Sequence, residues 1–136
     1  MFALSAILSM IPINVISKLY SIIYEYIDDV LNSKNTIVYK YSVVVVQLLL
    51  QSRTKEQWKT DQETLDLFIR LFHMGLHSKE LIRRQAIRSF MTICQGKDLS
   101  YFSVAMSKLE EVIFKELEQC IVKVTSRSLN VLNFLS

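Results

Sequence analysis

Apolar residues recur along this chain at helical spacing almost from end to end. From Pro12, acceptable in a first helical turn, they fall at Ile16, Leu19, Tyr20, Ile23, Ile27, Val30 and Leu31, with Lys18, Glu25, Asp28 and Asp29 opposite. That pattern predicts one amphipathic helix of about five turns. A turn at Asn32–Asn35 leads to a second helix over Thr36–Gln51, apolar nearly around its circumference. Its run Val43-Val44-Val45-Val46 favours strand by propensity, but its length and helical neighbours predict a buried helix. A polar connector, 51–59, carries Trp58, the sole tryptophan. Thr60 with Glu63 has the form of a capping box for the next helix, whose inner face is Leu65, Phe68, Ile69, Phe72 and Leu76. Ser78 is placed to cap a helix that reaches Gln95 and ends at Gly96, expected as a left-handed terminator. Ser100 is placed to cap a long helix through Ile121, and Ser126 to open a last one carrying Leu129, Leu132 and Leu135.

The expectation is an all-α chain, with antiparallel helix pairs at about 12–51, 61–95 and 100–136 forming a single helical segment. Shifted by 49 residues, Ile16, Leu19, Tyr20, Ile23 and Ile27 fall on Leu65, Phe68, Ile69, Phe72 and Leu76; a further 37 places the last four on Ala105, Met106, Leu109 and Ile113. A shift of 44 sets Ile37–Gln51 on Leu81–Gln95. A unit of about 37–49 residues matches the helix pairs of HEAT and armadillo solenoids, so the pairs are expected to stack as a short α-solenoid, part of a longer one.

Composition sharpens this picture. With 51% hydrophobic residues, two Gly and one Pro in 136 positions, the chain has neither the polarity of a disordered tail nor the turn residues of a β-sandwich or barrel. So large an apolar share in a small chain calls for a neighbour: membrane, subunit or further repeats. If further repeats, the uncovered faces belong at Phe2–Leu8 and Leu129–Leu135. A membrane span is not expected, because Pro12, Lys18 and Glu25 interrupt the uncharged start. A net charge of +3 is too mild to indicate nucleic acid by itself. Cys94 and Cys120 have no CxxC spacing and read as reduced thiols of an intracellular compartment.

The stretch from His77 to Phe90, HSKELIRRQAIRSF, resembles the turn and second helix of a HEAT repeat, with Ile82-Arg83 and the small Ala86 in place. More specifically, Leu48–Arg53, Trp58, Thr64–Leu65 through Phe72, His77 and Arg83–Ala86 resemble part of the ribosomal RNA processing protein twelve family, best over Leu48–Gln95. The resemblance implies a non-catalytic scaffold of the nucleus and nucleolus acting in pre-ribosome maturation and small-subunit export. Its partners would be pre-ribosomal proteins or ribosomal RNA.

Lys79, Arg83, Arg84 and Arg88 are the candidate contacts to RNA phosphates or an acidic partner. The alternative for them is a solvated face in which Arg84 pairs with Glu80 and Arg83 serves the turn. Trp58 is a candidate interface residue, or else a cover over the groove between repeats. His73 and His77 are spaced i,i+4, but no third ligand is near, so no metal is expected. There is no Gly-rich phosphate loop or nucleophile elbow, and neither a cofactor nor catalysis is expected. Two other functions fit: a self-contained helical bundle acting as an oligomerising or partner-helix-binding module, and a membrane-associated protein anchored by residues 1–16.

Overall fold

The computed structural model describes the backbone of residues 1–33 and 36–135, and the side chains of residues 1–33 and 38–125. Within it the chain is helical: α1 (Phe2–Ser9), α2 (Ile13–Lys18), α3 (Tyr20–Asn32), α4 (Thr36–Gln51), α5 (Lys55–Thr60), α6 (Gln62–Met74), α7 (Glu80–Gln95) and α8 (Ser103–Leu135), with a 3-10 turn at Leu99–Phe102. No strand occurs among the described residues.

The valine run lies inside α4, where Val43, Val45 and Val46 are fully buried. The β-branched penalty of a few tenths of a kcal/mol per residue is outweighed because α4 is enclosed by α1, α2, α3, α6 and α7. Burying a valine contributes about 1.5–3 kcal/mol.

The helix boundaries depart from the sequence expectation at several points. The stretch from Pro12 is two helices broken at Leu19, whose N–H is shared between the carbonyls of Val15 and Ile16 (3.2 and 3.0 Å). The connector holds α5, and its capping box is Thr54 with Gln57: Gln57 N donates to Thr54 Oγ1 (3.2 Å), and Thr54 N to Gln57 Oε1 (2.9 Å). Thr60 does not cap α6; Asp61 does, accepting from Thr64 N at 3.3 Å. Lys79, not Ser78, stands at the start of α7, without a side-chain cap. Gly96 ends α7 in a right-handed conformation (φ −77°, ψ −8°), not a left-handed one. Asp98 rather than Ser100 opens the final segment, accepting from Ser100 N at 3.0 Å. The break expected at Ser126 does not occur, because α8 runs unbroken to Leu135. The turn expected at Asn32–Asn35 lies partly, and the leucine side chains at 129–135 wholly, outside the described residues.

Polar pairs fix the helix directions. Near the start of α3 and α6, Arg53 lies over the Tyr20 ring (3.6 Å to its centroid) and donates to Thr64 Oγ1 (3.2 Å). Near their ends, Arg70 pairs with Asp28 at 2.7 Å. Lys108 of α8 meets Asp66 of α6 (3.8 Å), and Glu116 meets His73 (3.5 Å). Helices α3, α6 and α8 therefore run in the same direction. The paired residues lie 42 or 43 positions apart. The 49-residue shift differs from 42 by one heptad, two helical turns, and so superposes the same faces. The 37-residue shift matches none of these pairs. Helices α4 and α7 likewise share a direction. Tyr39 meets the His77 ring at one end (centroids 5.8 Å), and Lys97 Nζ donates to Gln51 O (3.0 Å) and Arg53 O (2.9 Å) at the other.

Candidate functional site

The four basic candidates do not form one surface. Arg83 is half-buried, and its Nη1 donates to His77 O at 2.9 Å, securing the turn between α6 and α7. That occupies it with a backbone carbonyl that the end of a helix leaves open. Arg84 and Arg88 share an exposed face of α7, and Arg84 pairs with Glu80 at 2.7 Å in the i,i+4 geometry. Lys79 is exposed at the foot of the same helix. The face is a short cationic edge rather than a track following a phosphate backbone.

Trp58 is 0% exposed. Its ring meets Phe68 edge-on at 5.4 Å and Phe102 at 4.9 Å, which ties α5 to α6 and to the entry of α8. Expected as a candidate partner contact, it is sealed from any partner because α5 turns it inward. Its Nε1 is buried without an acceptor among the described residues, so the site carries an uncompensated desolvation cost of about 1–3 kcal/mol.

His73 and His77 do not act together. His73 faces Glu116, while His77 Nδ1 accepts from Lys79 N at 3.0 Å. With Asn32, Tyr39 and Arg70 they line an open depression of about 280 Å3. There Arg70 is engaged with Asp28, and Tyr39 Oη donates to Leu31 O at 2.9 Å. No group of three His, Cys, Asp or Glu side chains suited to a metal occurs among the described residues. Burial pushes the Cys94 thiol up from its usual range, keeping it protonated, and Cys120 lies exposed on α8.

A further feature is apolar. Leu71 and Phe72 of α6, Leu76 in the turn that follows it, Ile87 and Met91 of α7, and Leu109 of α8 line a cavity of about 370 Å3 open to solvent, with Phe90 and Ala86 in its wall. Ile87 and Met91 continue into a second depression bordered by Arg84 and Arg88. The sequence pattern puts Leu76 on an inner helix face and gives Ile87 and Met91 no role. Their i,i+4 spacing beside the core positions Ile82, Ala86, Phe90 and Ile93 was the available signal of a second apolar face.

Next to this groove α8 leaves the body of the molecule. Phe102 and Ala105 are fully buried and Leu109 nearly so, and Glu116 meets His73. Every residue from 113 to 125 is exposed, yet that segment is not uniformly polar. Phe114, Leu117, Ile121 and Val124 are 65, 53, 65 and 62% exposed, and their 3-4-3 spacing makes one stripe. No helix among the described residues is long and apolar enough to cross a membrane.

No protein-family model, no curated protein and no solved structure matches this chain.

Proposed function

We propose that this chain is a non-catalytic helical-repeat scaffold, a segment of HEAT- or armadillo-like α-solenoid that holds a protein partner on its α6–α7–α8 face. The observation that carries this reading is the common direction of α3, α6 and α8, with side-chain pairs at a 42–43-residue offset. Stacked helix hairpins place equivalent residues side by side at one repeat length, whereas an up-and-down bundle alternates the directions of neighbouring helices. The pairing of α4 with α7 as a second layer adds to this.

The resemblance of Leu48–Gln95 to the ribosomal RNA processing protein twelve family supports the reading that this scaffold acts in pre-ribosome maturation, in the nucleus and nucleolus. Between the partners that family implies, protein is favoured over RNA here. Arg83 is committed to the α6–α7 turn and Arg84 to Glu80, and the concave surface beside them is apolar. Phosphate recognition needs several unengaged cations, each adding salt-dependent affinity.

Two measurements test the reading. The tagged chain, expressed in its source cells, should co-sediment with pre-ribosomal particles; its absence from those fractions overturns the assignment to ribosome maturation. Single-stranded and duplex RNA should bind the purified chain weakly, with little change in affinity or salt slope on Arg84→Glu/Arg88→Glu. A steep salt slope lost in that variant would move the function to RNA contact.

A further inference from the structure

We infer that the projecting half of α8 is the ligand of the α6–α7 groove, in trans: two copies of this chain form a twofold dimer in which each seats its α8 stripe in the other's groove. This rests on the groove and the helix themselves, not on the pre-ribosomal setting. The two surfaces are complementary in shape class, in polarity and in charge. One is an open apolar depression lined by α6, α7 and α8, and the other a single amphipathic helix with a stripe about a quarter of its circumference wide. Helix-in-groove recognition uses anchors at this i, i+3, i+7 spacing, here Phe114, Leu117, Ile121 and Val124.

Charge selects the pairing. Residues 110–125 carry Glu110, Glu111, Glu116 and Glu118 against Lys115 and Lys123, so this half of α8 is acidic. Residues 79–95 carry Lys79, Arg83, Arg84 and Arg88 against Glu80. With Arg84 paired to Glu80 and Arg83 held by the His77 carbonyl, Arg88 is the cation that borders the depression joined to the groove at Ile87 and Met91. An acidic helix lying there meets opposite charge, which orients the encounter and adds salt sensitivity.

The stripe cannot serve its own groove. Leu109 already lines that groove, and α8 continues past it as one unbroken helix to Leu135. A second copy is under no such restriction. If each α8 reaches across, the two helices run antiparallel about the symmetry axis, and the same patch is used twice, as a closed twofold contact requires. Each copy then contributes one helix and one groove, so the seat is doubled toward the roughly 1,200–2,000 Å2 that stable dimers bury.

Sedimentation velocity over a dilution series of the full chain tests this. The wild-type chain should be a dimer that dissociates on dilution and more readily at high salt. Leu117→Asp/Ile121→Asp on the helix should weaken dimerisation at least tenfold, and so should Ile87→Asp/Met91→Asp in the groove. All four side chains are largely exposed, so circular dichroism should be unchanged; the milder Ile121→Ser and Ile87→Ser repeat the test if either double variant misfolds. An equimolar mixture of helix and groove variants should associate more tightly than either alone, since one hybrid seat keeps both wild-type surfaces. A chain monomeric at all concentrations, or a dimer that the groove substitutions leave intact, overturns the inference; the second result would indicate α8 pairing on itself.

Discussion

At the scale of single residues, the most consequential side chain is Arg53. It is nearly buried, stacked on Tyr20 at 3.6 Å, donating to Thr64 and paired with Asp61 at 3.3 Å. Asp61 Oδ2 also accepts from the Thr64 hydroxyl at 2.6 Å. One guanidinium thus joins α3, the α4–α5 connector and the start of α6. Removing one partner of such a pair strands the other, so Arg53→Met should cost about 3 kcal/mol by denaturant unfolding. Asp61→Asn, which keeps an acceptor for the cap, should cost less. Tyr20 supplies a pH signature. Burial pushes its phenol up to about 12, with Arg53 pulling it back down. The folded chain therefore holds a proton that the unfolded chain releases near 10, and the stabilisation is complete below about pH 10. It is lost as pH rises toward 12, by roughly 2 kcal/mol. Lys97 works the other way: burial lowers its pKa, so its contribution rises with pH. Subtracting the Tyr20→Phe profile from that of the wild type isolates the tyrosine, and a flat difference between pH 9.5 and 12 would contradict the assignment.

At the scale of elements, two threonines stand as competing caps, and the sequence alone favours the wrong one. Both Thr54–Gln57 and Thr60–Glu63 satisfy the capping-box spacing. The choice is made by Asp61, which occupies the cap of α6 because Arg53 anchors it there. Thr60 instead returns its hydroxyl to Glu56 O at 3.0 Å within α5. Thr54→Ala should cost about 1 kcal/mol in thermal or urea unfolding, and Thr60→Ala less than about 0.5 kcal/mol. Equal effects would mean that α5 is not capped as described. The amphipathic faces of α3, α6 and α7 were legible because periodicity depends on residues within one helix. Caps, the break at Leu19 and the inward turn of Trp58 depend on groups far apart in the chain, which a local pattern does not bring together. Trp58→Ala should cost about 3–5 kcal/mol from the cavity it leaves. Trp58→Phe should cost less, since it also deletes the unpaired Nε1–H.

At the scale of the whole molecule, the apolar excess has a location. Part of it is core, with α4 at the centre. Part lies on α1, whose Leu8 packs inward while Phe2 and Ile7 face out, so the expected uncovered face at Phe2–Leu8 is half covered by α4. The rest is the α6–α7 groove and the stripe on α8. Sequence could announce the surplus but not divide it, because a core leucine and a docking leucine have the same spacing on a helix. Stability along α8 should therefore be uneven. Amides from Ala105 to Val112 belong to a helix face locked by Phe102, Ala105 and Leu109, whereas those from Leu117 to Thr125 are backed only by their own helix. Isolated helical stretches of this length are marginal in water. In hydrogen exchange at high dilution, the second group should open with a free energy several kcal/mol below that of the first. Raising the chain concentration should slow exchange at 117–125 together with the amides around Ile87 and Met91, and leave Ala105–Val112 unchanged. Coupled protection at two sites so far apart in the chain is what a groove filled by a second copy's helix produces, and uniform protection along α8 at every concentration would exclude it.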